Sequence, residues 1–309
     1  MRATLMGQLT PGHDKRRRGA KIRSMPQKTL GQARPAAPPP REPVAPALAR
    51  NRAVMAILLP LAAALLLGVI TGSLFVREGR AGEATAAPIF AALGLASWFI
   101  GLRLYGLRGM ALRGGRPLFA GIGFAVLAWV AALIGRFLPG LPETTFNPDG
   151  QAVVNISLLV EVVATRSAGS GRAFAYLLLF EAFATQLWCF SLVFRALADW
   201  RGGLTAAVAS GILFGATGYL LFGESSPGLP ALFYFLLWGV LYGMIRLRTG
   251  SILGPVLVQA LQSFTAWFVF QPPADLAATG LQTVFVAVSL MYVIIIWRLW
   301  PRREDDYRV

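Results

Sequence analysis

Residues 53–76 read AVMAILLPLAAALLLGVITGSLFV, bounded by Arg52 and Arg77 and free of charge throughout. A bilayer core of about 30 Å is crossed by roughly 20 apolar helical residues, and within it every backbone N–H and C=O must find its partner inside the segment. A run of this length predicts a transmembrane α-helix. The competing reading, a buried core helix of a large soluble protein, does not account for similar runs recurring as far as residue 297, with Arg at their ends. Composition agrees: 56% of the 309 residues are hydrophobic and 14% are charged, where a soluble domain carries about 25% charged residues. The expected fold class is all-α, a polytopic transmembrane helical bundle.

Working outward from that stretch, the apolar runs predict eight spans, at 53–76, 84–102, 117–138, 173–194, 204–222, 230–246, 252–270 and 279–297. Between the third and fourth, residues 152–165 are apolar but carry Asn155 and Glu161 and are too short to cross, which predicts an interfacial or re-entrant helix. Residues 1–50 are basic and Pro-rich, with PAAPPP at 35–40, and show no helical or strand periodicity. They read as a disordered cytoplasmic tail, the transmembrane domain as 51–300 and a second tail as 301–309.

The net charge of +15 raises the question of a nucleic-acid partner. Its placement argues for lipid instead. With the N-terminus inside and eight spans, 24 of the 29 basic residues fall on inside segments and 5 outside. Arg103, Arg108, Arg113, Arg116, Arg195, Arg201, Arg246 and Arg248 are among the inside set. That asymmetry follows the positive-inside rule, and Lys15 to Arg18 reads as a neighbour of anionic headgroups. The expected location is a bacterial cytoplasmic membrane with both termini on the cytoplasmic side. Trp98, Trp267, Trp297 and Trp300 lie near span ends, at headgroup level. Small residues repeat every fourth position at Gly68 and Gly72, at Ala207, Gly211 and Gly215, and at Gly239 and Gly243. Such stripes let helix backbones approach closely, and packing within this bundle is the expected use.

Two further stretches bear on chemistry. Residues 185–218 read TQLWCFSLVFRALADWRGGLTAAVASGILFGATG, and 247–263 read LRTGSILGPVLVQALQS. Together they resemble the core of the CPBP family, the CAAX proteases and bacteriocin-processing enzymes also called Abi proteins. The resemblance spans the fourth to seventh predicted helices, about residues 173–270, and rests on the Arg195-Ala-Leu, Leu213-Phe-Gly and Arg248-Thr-Gly-Ser elements in order. It implies an intramembrane site built from an EExxxR motif, a histidine after the LF element, and an HxxxN/D motif. In such a site a glutamate activates water, while histidines bind a metal or steady the oxyanion.

This chain departs from the pattern at each position. The paired glutamates correspond to Thr185 and Gln186, the arginine to Phe190, the first histidine to Gly218, and the last motif to Gln259 and Ser263. Thr, Gln and Ser do not titrate near neutral pH, so no general base stands among them. The single histidine is His13, in the basic tail, and the single cysteine is Cys189. A catalytic zinc takes three protein ligands, and only Glu181 and Cys189 are candidates here. No cofactor and no metal are therefore expected. Glu181 lies one turn before Thr185 in an otherwise apolar helix; it is either a displaced catalytic acid or a hydrogen-bonded structural residue. Arg195 and Asp199, at i and i+4, read as a surface ion pair.

The resulting expectation is a non-catalytic member of the family, a binding or scaffolding protein. Its partner would be a membrane protein, or an isoprenoid or other lipid seated where Gly218 replaces an imidazole. The alternatives are an active intramembrane metalloprotease with an altered site, and a transporter or channel component.

Overall fold

The computed structural model describes residues 44–77, 83–136, 175, 177–222, 228–264 and 278–302. Among them every regular element is helical: α1 (Pro46–Arg77), α2 (Glu83–Gly109), α3 (Arg116–Arg136), α4 (177–201), α5 (Gly203–Phe222), α6 (Leu229–Thr249), α7 (Leu253–Phe264) and α8 (Ala278–Leu299). Seven are long and apolar enough to cross a membrane, and the chain is an integral membrane protein. α7, in the place of the predicted span 252–270, is a shorter apolar helix within the described residues. The tail 1–43, the segment 152–165, Trp267 and residues 303–309 lie outside the described residues. α1 begins at Pro46, earlier than the uncharged run, so Arg50 and Arg52 are helical. α2 runs past residue 102 to a break at Gly106, which leaves Trp98 inside the helix and against the core.

The helices are sorted by size of side chain rather than by polarity. α1 buries Ala49, Ala53, Ala56 and Ala64 and turns Leu58, Leu59, Leu65 and Leu66 outward; α3 buries Ala125, Ala128 and Ala131 and exposes Phe119, Leu127 and Ile134. In lipid a leucine gains nothing by leaving the surface, whereas a small residue lets another helix come close. α5 and α6 use this most fully. A methyl added at Gly211 would lie 2.6 Å from the Gly239 carbonyl oxygen, one at Gly239 would strike Gly211, and one at Gly243 would strike the Ala207 carbonyl. The two predicted stripes are thus one internal seam. A second backbone contact joins α7 to α3, where Gly254 meets Gly121 and Ile122.

α4 occupies the interior. From Leu187 to Ala196 every side chain is buried. The helix is not uniform: π-helical turns at Leu177–Ala182 and Leu187–Val193 flank an α-helical turn at Phe183–Gln186, and Phe194–Arg201 closes it. At one end of the bundle, the 110–113 turn is fastened to its neighbours. Ser191 Oγ donates to the Met110 carbonyl at 2.6 Å, Ser251 Oγ to that of Arg113 at 2.7 Å, and the Ile252 N–H to that of Ala111 at 3.1 Å.

Candidate functional site

Four of the six family-matching positions, with Glu181, form two hydrogen-bonded groups between α4 and α7. Gln186 Nε2 donates to Gln259 Oε1 at 2.8 Å, and Gln259 Nε2 donates to Thr185 Oγ1 at 3.1 Å. Thr185 Oγ1 spends its own proton on the Glu181 carbonyl at 2.7 Å. Beside this chain, Ser263 Oγ donates to Glu181 Oε1 at 2.7 Å. All five side chains are buried. α4 presents 181 and 185, one turn apart, on the face that meets α7, and α7 presents 259 and 263 at the same spacing.

The other two family-matching positions are apolar and filled. Phe190 packs its ring 5.3 Å from Phe214 and 6.3 Å from Tyr242, in an aromatic cluster that continues through Trp238. Gly218 lines a cavity with Glu181, Thr185 and Gln259, but the space an imidazole would need is narrowed by Phe235, 3.2 Å from where a Cβ would sit. The cavity holds about 20 Å³, room for about one water molecule.

The donor set does not suit a metal. Among the described residues no three His, Cys, Asp or Glu side chains gather, and the site's one carboxylate and one thiol, Glu181 and Cys189, fall short of a zinc site.

Two arginines are more buried than their positions at span ends suggest. Arg246 is 3% exposed, donates Nε–H to the Phe190 carbonyl at 3.0 Å and lies 4.6 Å over the Phe194 ring. The carbonyl it takes lies in the second π-helical turn, where i→i+5 pairing replaces the usual ladder. Arg195 and Asp199 do pair, at 2.9 Å, but Arg195 is 8% exposed, so the pair lies within the bundle rather than on its surface. Sequence reading also missed Gln262, whose Nε2 donates to the Tyr234 and Tyr292 hydroxyls at 3.2 and 3.5 Å. A polar residue three positions after Gln259 on an amphipathic helix was the available signal.

Compared with known proteins, residues 170–265 match the family model of Rce1-like proteins, described as type II CAAX prenyl endopeptidase Rce1-like. The match takes in α4 to α7 and all of the site. No curated protein and no solved structure matches the chain.

Proposed function

We propose that this protein, whose residues 170–265 match the Rce1-like CAAX prenyl endopeptidase family model, is a non-catalytic member of that family, acting as a binding or scaffolding subunit for a membrane partner. The observation that carries this reading is the Gln186–Gln259–Thr185 chain. Three side chains at the family's catalytic positions hydrogen-bond one another, with Gln186 Oε1 left unpaired, and none of them takes a proton from water near neutral pH. A general base contributes about 10²–10⁴ in rate, so its loss alone lowers hydrolysis to that extent. The cavity at these positions has room for about one water. Recognition of a protein or lipid partner therefore falls to the outer helix faces, in a cytoplasmic membrane with both termini inside.

A second reading is favoured by one observation. Glu181 is a carboxylate lining the same cavity as Thr185, Gly218 and Gln259. That is where a displaced general base of an altered protease would stand. The test is incubation of the purified protein with membrane and prenylated peptides, with and without chelator. No cleavage is expected. Cleavage lost on chelation refutes the non-catalytic reading, and cleavage lost in Glu181→Gln does so in favour of the displaced base.

A further inference from the structure

We propose that the turn between α2 and α3 seats the phosphate headgroup of an anionic phospholipid, through Arg113 and Arg116. The turn closes one end of the bundle, where positive charge gathers from several elements. Arg246 of α6, buried, has Arg113 of the turn and Arg195 of α4 as its charged neighbours. Arg116, exposed like Arg113, opens α3, whose first turn holds no acidic residue. Against these four arginines stands one carboxylate among the described residues. Asp199 pairs with Arg195 at 2.9 Å, while Glu83 and Glu181 lie near the beginnings of α2 and α4, whose other ends reach this turn. Two of the four, Arg195 and Arg246, are buried, where charge is screened least. The excess positive field emerges at Arg113 and Arg116, the exposed pair, and the positive end of α3 adds to it. Such a field draws an anion.

The turn is held in shape before any ligand arrives. Ala111 has φ +58°, a backbone conformation uncommon for a residue with a side chain. Hydrogen bonds from Ser191, Ser251 and Ile252 to the carbonyls of Met110, Arg113 and Ala111 keep it there. Gly114 and Gly115, between the two arginines, have open space where a Cβ would stand, so a phosphate can approach the backbone closely. Each guanidinium can offer two parallel N–H donors to phosphate oxygens.

The surroundings of the turn select a lipid over a soluble phosphate. α2 and α3 are both long and apolar enough to cross a membrane, so the turn that joins them stands where a span meets water. Leu107 on α2 and Phe119 on α3 flank it and are 60% and 71% exposed. They offer apolar surface to acyl chains within one helical turn of the arginines that would hold the phosphate. Basic sites at the ends of spans take anionic headgroups in this way. A zwitterionic headgroup would bring its own cation to the same arginines, so the fitting lipid carries net negative charge.

The experiment measures thermal unfolding of the full chain in mild detergent and low-salt buffer. Phosphatidylglycerol is titrated into the micelles, with phosphatidylcholine and inorganic phosphate as separate arms. At ten times Kd phosphatidylglycerol is expected to raise Tm by about 4 °C, while the other two leave it unchanged. The shift should vanish in the double variant Arg113→Gln, Arg116→Gln, whose two side chains are exposed and whose fold is not at stake. It should persist in Arg50→Gln, which removes an exposed arginine of α1 outside this turn. An equal rise with phosphatidylcholine, no rise with phosphatidylglycerol, or an undiminished rise in the double variant overturns the proposal. So does an equal loss in Arg50→Gln, which would assign the effect to diffuse surface charge. A rise with inorganic phosphate as large as that with the lipid would overturn the lipid assignment in favour of a soluble phosphate.

Discussion

Replacing Gly211 with Ala tests the seam on which the site's framework rests. The new methyl would stand 2.6 Å from both the Gly239 carbonyl oxygen and Val240 Cα, where ordinary contact begins at 3.4 Å. α5 and α6 must therefore part by about 0.8 Å, since the obstacle is backbone and has no rotamer to yield. Overpacking of this kind costs about 1–3 kcal/mol, and a rigid obstacle puts it near the upper end. Parting the helices also weakens the contacts of Gly215 with Phe235 and of Gly243 with Ala207. Against this, Ala gains about 1 kcal/mol over Gly in helix propensity. The net expectation is a loss of about 2 kcal/mol, or roughly 4–8 °C in Tm for a domain of this size. Gly123→Ala is the internal control, because a methyl there meets nothing within 4 Å; it should be neutral or stabilising by up to about 1 kcal/mol. Both variants are compared by thermal unfolding in one detergent. If Gly211→Ala unfolds at the temperature of Gly123→Ala, the close packing of α5 on α6 is wrong.

Two other expectations follow from the buried arginine and from the charge asymmetry. Arg246→Met keeps the stem but removes the donor to the Phe190 carbonyl and the charge over Phe194. A hydrogen bond from a charged donor is worth about 1.5–3 kcal/mol and a cation–π contact about 0.5–2, so a loss of about 3 kcal/mol is expected in the same assay, and an unchanged Tm would show Arg246 to be peripheral. With Cys189→Ala as background, single cysteines at Gly114, which is exposed, and at Asp305 should react with a membrane-impermeant reagent only after cells are opened. Labelling of either in intact cells reverses the orientation.

How far the sequence disclosed the molecule depended on which physical signal was at issue. Uncharged length alone located the helices, because lipid leaves the backbone no other solution. The stripes at Ala207, Gly211 and Gly215 and at Gly239 and Gly243 announced close packing without saying that each was the other's partner. The meeting of Thr185 and Gln186 with Gln259 was legible through the family resemblance; spacing within one helix says nothing of a partner 74 residues away. Arg246 reads in the sequence as an inside-segment charge at a span end beside Arg248, with nothing to mark it as buried. Its burial depends on a carbonyl in a π-helical turn, and i→i+5 pairing leaves no mark in hydropathy. For the same reason the Arg195–Asp199 pair was expected on the surface: i,i+4 spacing defines a face but not what covers it.

The π-helical turns on either side of Phe183–Gln186 also bear on how the chain is to be compared with its relatives. A π turn holds an extra residue per turn relative to an α-helix, so counting along α4 and measuring across it give different correspondences. A gapless comparison with a relative whose helix is regular drifts out of phase twice between 177 and 193. Thr185 and Gln186 match the family's paired glutamates by count; Glu181 shares their cavity by position. Homologues of this stretch are therefore to be aligned by superposing helices, with the π turns as the natural places for single-residue gaps.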